Sequence, residues 1–295
     1  MTDTRRSYLI LHFVIFLWGF TAILGQLISI SALPLVFYRL VITCLSLLVF
    51  RGLIPNIRVI STRTKWKLLG IGIIVTLHWI AFYGSIKLSS ITVALACLAT
   101  TSFFTSIIEP IVVRRKIDLL EVGLGILVIP GIFLIYYFTN ASLIALIVGL
   151  FSALMAAIFP VLNSKFVKEI DAKAITFLEL GAGAVLLGLL FPILYISQPD
   201  LRLIPNLNDL VWLLILGIVC TTLPFVLALN VLKKISAFSA SLAINLEPIY
   251  GIIMAIIIFK ENKKFDNLTY LGLVIVLISV FSHPVIKYYL KSNEK

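Results

Sequence analysis

Ten stretches of about 20 mostly apolar residues follow one another along the chain, at 8–30, 33–50, 66–86, 90–113, 119–139, 142–162, 174–196, 210–232, 236–259 and 268–289. A run of that length, coiled as an α-helix, matches the hydrocarbon thickness of a bilayer. Lipid offers no partner to an unpaired N–H or C=O, so each run must be helical. The runs are continuously apolar and do not alternate in pieces of about ten, which excludes a transmembrane β-barrel. A soluble reading fails on composition: 61% of residues are hydrophobic and 13% charged, where soluble domains carry about 25% charged residues. The expectation is an all-α polytopic membrane protein with ten transmembrane helices. Arg5 and Arg6 before the first run imitate a signal peptide. That run is long enough to span and others follow it, so it reads as an uncleaved first helix.

Numbering these runs as spans 1 to 10 sorts the basic residues by side. The ends of the chain and the loops after spans 2, 4, 6 and 8 hold 18 Lys and Arg, among them Arg51, Arg58, Arg114, Lys165 and Lys233. The opposite loops hold 5: Lys87, Arg202, Lys260, Lys263 and Lys264. The positive-inside rule then predicts both termini in the cytoplasm. The loop after span 9 fits least well, its three lysines being partly offset by Glu261 and Asp266. The net charge of +11 is spread over short loops and forms no stripe, which argues against nucleic acid as a partner. Cys44, Cys97 and Cys220 all fall inside apolar runs and form no CxxC pair.

A weak internal repeat runs through the chain. Shifting by 146 residues brings Trp66 onto Trp212, Thr76 onto Thr222, Lys87 onto Lys233, Ser90 onto Ser236 and Ala94 onto Ala240. A shift of 140 sets Phe37 on Phe177 and Arg39 on Glu179; one of 149 sets Gly123 on Gly272. The nearly constant offset predicts two five-helix units, 8–139 and 142–289. Five is odd, so the second unit must enter the membrane inverted relative to the first. Inverted repeats of this kind mark secondary transporters, whose sites lie near the midplane between the repeats.

The chain resembles the EamA-type members of the drug/metabolite transporter superfamily over nearly its whole length. The residues that carry the resemblance are Trp18-Gly19, Tyr38-Arg39, His78-Trp79, and Glu247-Pro248 about a dozen residues before Lys260-Glu261. The five-plus-five layout is its most specific feature. The resemblance implies an inner-membrane carrier of small metabolites such as amino acids. The first half departs from the second: Thr101-Ser102 align with Glu247-Pro248, Arg115 aligns with Glu261, and Glu109-Pro110 sits eight residues late.

More than three residues from a span end, four charged side chains fall within spans: Arg39, Glu109, Glu179 and Glu247. Each costs about 2.5–3.5 kcal/mol at mid-bilayer and is expected to face protein or water. Glu247 is the deepest, and Pro248 after it frees a backbone carbonyl one turn back. Glu247 is therefore a candidate to bind a cationic group or carry a coupling proton, against a structural carboxylate. His78 titrates near neutrality when unperturbed and is read as a packed residue or a proton relay. Arg39 is read as snorkelling outward or binding an anionic group. Its depth, opposite to that of Glu179, argues against an ion pair between them. Glu109 lies near Arg114 and is expected to be solvated. Trp18, Tyr38, Trp79 and Tyr83 are candidate aromatic walls, Asn245 a candidate polar contact, and Pro224 and Pro248 candidate helix breaks. Gly70, Gly72, Gly181 and Gly183 allow close helix approach.

No Walker-type, GxSxG, HExxH or Cys/His zinc pattern is present, so no cofactor, metal or ATP hydrolysis is implied. The expected function is gradient-driven alternating access for a small organic solute, with protons as a candidate coupling ion. Two other classes stay open: a membrane-embedded enzyme acting on lipid, and a channel or structural membrane protein. The sequence leaves monomer and homodimer open.

Overall fold

The computed structural model describes residues 3–139, 141–197, 202–235, 240, 243–244 and 246–293. Among them the regular structure is helical throughout: α1 (Asp3–Leu27), α2 (Ala32–Leu48), α3 (Leu53–Arg58), α4 (Thr62–Leu88), α5 (Ile91–Leu98), α6 (Thr101–Val113), α7 (Leu119–Ile126), α8 (Val128–Phe138), α9 (Leu143–Asn163), α10 (Ala172–Ser197), α11 (Leu207–Leu214), a π-helical stretch (Ile215–Thr222), α12 (Leu223–Leu232), α13 (Leu246–Phe259), a 3-10 turn (Glu261–Lys264) and α14 (Asn267–Asn293). Among the described residues seven helical stretches are long and apolar enough to cross a membrane, and Ala32–Leu48, Leu246–Phe259 and Asn267–Ser279 are shorter apolar helices.

Several expected spans are interrupted, for local reasons. The run 90–113 divides between α5 and α6 at Ala99–Thr100. There the hydroxyls of Thr100 and Thr101 donate to the carbonyls of Cys97 and Leu98 at 2.6 and 2.7 Å, the back-bonding that bends helices. The run 119–139 breaks at Leu127, three residues before Pro130, whose missing N–H forgoes the bond to residue 126. The run 210–232 winds as π-helix for eight residues up to the start of α12, where Pro224 lies. Pro248 sits in the first turn of α13. Polar caps hold the ends: Ser61, Ser90, Asp118, Ser142 and Asn206 each accept a backbone N–H of the helix that follows. Asp266 does the same for α14, accepting from Thr269 N–H at 2.7 Å. That backbone bond holds its carboxyl below the usual range. The cap is therefore complete above the ordinary aspartate pKa of about 3.9 and is lost as pH falls through the depressed value.

The packing maps onto itself when the two halves are exchanged. α2 pairs with α10, and α8 with α14, each joining corresponding elements. α1 against α13 is mirrored by α9 against α6, and α4 against α9 by α12 against α1. α4 against α10 is mirrored by the π stretch against α2. The outer faces are greasy: Val185, Leu189, Ile193 and Ile196 on α10 are more than half exposed, a surface that suits lipid and not water.

The seam between the halves is tightest where α4 crosses α10. A Cβ on Gly72 would lie 2.0 Å from the backbone oxygen of Glu179, and one on Gly183 2.0 Å from Thr76 Oγ1. Gly70 has open space around it, and the nearest atom to Gly181 is Cys44 Sγ at 4.0 Å. The four glycines grouped by sequence thus divide into two that touch and two that do not. Gly72→Ala is expected to lower the thermal midpoint of the detergent-solubilised protein by the equivalent of ~1–3 kcal/mol. Gly70→Ala should leave it unchanged, and equal effects from the two would contradict this packing.

Candidate functional site

One cavity of about 90 Å³ lies between the halves, enough for several water molecules. Its lining comes from α1 (Leu11, Trp18, Thr21), α2 (Arg39), α4 (His78, Trp79, Phe82), α5 and α6 (Leu98, Thr101, Thr105), α9 (Ala156, Ala157, Phe159, Pro160, Val161) and α12 (Phe225, Ala228, Leu229, Leu232), with Ala240, Ile244 and Glu247. Both repeats contribute.

Arg39 organises the polar wall. It does not snorkel: it is 3% exposed. Nε donates to Thr221 Oγ1 at 2.7 Å and Nη1 to the Tyr83 hydroxyl at 2.8 Å. The guanidinium lies 3.6 Å from the centre of the Trp79 ring, the face that attracts a cation. Among the described residues no carboxylate pairs with it and Nη2 has no hydrogen-bond partner. A delocalised cation held this way keeps one edge free for an anionic group. The Thr221 hydroxyl itself donates to Leu216 C=O, five residues back. The π winding thus turns Thr221 towards α2 while its own polar group stays satisfied.

Glu247 lines the same cavity and is 7% exposed. Gly19 explains how α13 comes so near: a Cβ there would meet Tyr250 Cβ at 3.0 Å and Glu247 O at 3.3 Å. His78 also faces the cavity, with Nδ1 2.9 Å from Ser152 Oγ. Its ring joins an aromatic wall with Phe82, Phe159, Phe225 and Trp79, neighbouring ring centres being about 6 Å apart.

The other sequence candidates fall in different places. Trp18 and Trp79 are walls. Tyr83 is not on the lining; it is fully buried and orients Arg39. Tyr38 lies outside the cavity, packed on Phe37 and Phe191. Asn245 lies outside the described residues. Glu179 is fully buried and bonded to Asn163, not to Arg39. Glu109 is not solvated: it is 5% exposed and lies 3.4 Å from Arg115. Arg115 also reaches Glu121 at 2.9 Å. Burial works against the Arg115 charge, but the bond it donates to Glu121 and the fields of both carboxylates outweigh it and raise its pKa. Thr221, Ser152, Phe159 and Phe225 were not singled out from sequence. The Thr221-Thr222 pair inside an apolar run was the one signal available.

Polar contacts cluster at the helix ends away from the basic loops. There, Ser29 N–H and Oγ donate to the two oxygens of Asp209 at 2.6 and 2.7 Å, and Lys87 Nζ donates to Ile28 C=O. Glu261 sits on the N-terminus of α5, accepting from Ile91 and Thr92 N–H at 3.3 Å and from Thr92 Oγ1 at 2.5 Å. The Ser29 and Thr92 clasps join one half to the other. The lining instead runs from mid-helix to Leu11, Val161 and Leu232, beside the basic loops.

Fold and site define a multi-pass membrane protein with a buried cavity between two repeats. The chain belongs to the EamA-like transporter family, which it matches over residues 5–137 and again over 143–282. A solved structure titled "Crystal structure of protein" superposes with a TM-score of 0.66, covering 93% of this chain and 96% of its own, at 12% identity. That likeness concerns the fold. None of the curated proteins matches the chain.

Tyr83→Phe leaves Arg39 Nη1 without its acceptor. It is expected to lower stability by ~1–3 kcal/mol, seen as a lower thermal midpoint in detergent. Tyr38→Phe should not do so. An unchanged midpoint for Tyr83→Phe would contradict the role given to that hydroxyl.

Proposed function

We propose that the chain is a secondary transporter that carries a small organic solute of the amino-acid kind across the cytoplasmic membrane by gradient-driven alternating access. The observation that carries this reading is the pairing, within one buried cavity, of Arg39 with a free Nη2 edge and of the Glu247 carboxyl. An anionic group on the solute meets the guanidinium, a cationic group meets the carboxylate, and the aromatic wall takes the apolar remainder. Two further features support the cycle. The packing symmetry, with an odd number of spans in each half, fits ten spans in two inverted units. The cavity is clasped at one end and extends towards the basic loops, which the charge rule places in the cytoplasm with both termini. This arrangement is then the inward-facing state.

Purified protein in liposomes should show saturable uptake of a labelled amino acid, accelerated by the same solute on the far side. Flux that does not saturate would indicate a channel, and product formed from lipid an enzyme; either would overturn the proposal. Glu247→Gln and Arg39→Gln should each cut solute flux roughly ten- to a hundredfold, the loss of one charge-assisted bond. Unchanged flux in both would remove the cavity from the transport path. Asp209→Ala combined with Glu261→Ala loosens the clasped end. It should raise the labelling of a cysteine introduced at Thr21 by a membrane-impermeant thiol reagent added from outside; unchanged labelling would contradict the clasp.

A further inference from the structure

Two fully buried acceptor atoms have no hydrogen-bond partner among the described residues. They are Glu179 Oε1 on α10 and Asn163 Oδ1 at the end of α9. The two side chains are joined by one hydrogen bond, from Asn163 Nδ2 to Glu179 Oε2 at 3.2 Å. An ionised carboxylate has only acceptors, so it leaves both remaining oxygens bare. An uncompensated buried carboxylate is also among the most costly groups a fold can hold.

We infer that Glu179 and Asn163 form a proton-binding site, in which a single proton on Oε1 is donated to Asn163 Oδ1 and closes a cyclic pair of hydrogen bonds. The step is a plain protonation: one O–H bond of a hydronium ion from the aqueous phase breaks, one O–H bond forms on Oε1, and a water molecule is left. One hydrogen satisfies both orphan oxygens at once. A sodium ion fits less well, since hard cations gather about six oxygens and the described residues offer two unpartnered buried side-chain oxygens here.

The surroundings supply no other charge balance. The elements packed on α10 are α2, α3, α4 and α12, with Asn163 reaching over from α9. α2 carries Tyr38, Arg39 and Cys44; α3 carries Arg58; α4 carries Arg63, Lys65, Lys67, His78, Tyr83 and Lys87; α12 and α9 carry no titratable group; α10 itself adds Lys173 and Tyr195. None of these makes a hydrogen bond or ion pair with the Glu179 carboxyl among the described residues.

The site lies on the seam between the halves. Gly72 of α4 touches the Glu179 backbone, and Asn163 is one turn beyond Pro160 of the cavity wall. While α4 and α10 are in contact no water reaches the carboxyl, so the proton is trapped; parting the seam would release it. The pair thus links proton occupancy to the approach of the two repeats, whatever the solute.

Infrared spectroscopy of the full chain in lipid tests this without any transport measurement. At neutral pH the protein should show the carbonyl stretch of a protonated carboxylic acid that moves on exchange into D₂O and is lost in Glu179→Gln. Glu247→Gln serves as the control for the other buried carboxyl and should leave that component in place. Asn163→Leu, which removes the donor to the carbonyl, should shift the band to higher frequency; it provides a second reading if Glu179→Gln does not accumulate. The inference is overturned if neither variant alters the protonated-carboxyl region, or if sodium rather than acid titrates the band.

Discussion

Lipid gives a peptide chain nothing to hydrogen-bond to, and the consequences reach from the helices to the cavity. At two places where a helix departs from regular winding, threonine hydroxyls take over backbone carbonyls. Thr100 and Thr101 do so between α5 and α6. In the π stretch Thr221 and Thr222 reach back five residues to Leu216 and Gly217, at 2.6 and 2.9 Å. Both irregular places adjoin the cavity: Thr101 lines it and Thr221 holds Arg39. At these two places the irregular backbone lies beside the polar interior, where it can be satisfied; the break at Leu127, next to exposed Ile126 and Ile129, does not.

The same constraint governs the side chains. Arg39 is held by a threonine, a tyrosine and a tryptophan face instead of by a carboxylate. Such a set stabilises the cation without neutralising it. A counter-ion in contact would occupy the edge that now faces the cavity. Because burying a charge is costly, the arrangement around Arg39 depends on several helices at once: α2 supplies the residue, α4 supplies Tyr83 and Trp79, and the second half supplies Thr221. A change of packing between the halves is therefore felt directly at the guanidinium.

The helical runs, the repeat offset and the family were legible in the sequence, because each is written in long stretches of hydropathy and spacing. Glu247, His78, Arg39, Trp18 and Trp79 were legible as cavity residues because polar or aromatic groups within apolar runs are conspicuous. What could not be read was direction around a helix. Tyr38 is adjacent to Arg39, yet one residue turns a helical side chain by about 100°, and it packs on Phe191 instead. Tyr83 looked like a wall and proved to be a partner of Arg39. Glu109 seemed close enough to the surface to be wet, but the αL turn at Arg114 brings Arg115 back over it. Thr221 was hidden because π winding changes which residues share a face, and apolar composition does not announce it.

Glu261 rests on the start of α5, where the exposed N–H groups of a helix favour a negative charge. The position that corresponds to it in the first half is Arg115, and a cation is repelled by such a helix start. Arg115 is engaged instead with Glu109 and Glu121 of its own half. The two mouths of the molecule therefore cannot be fastened by mirror-image locks. The two repeats are comparable frames made unequal by one reversal of sign, so the contact that ties the halves together at Glu261 has no counterpart of the same kind at Arg115.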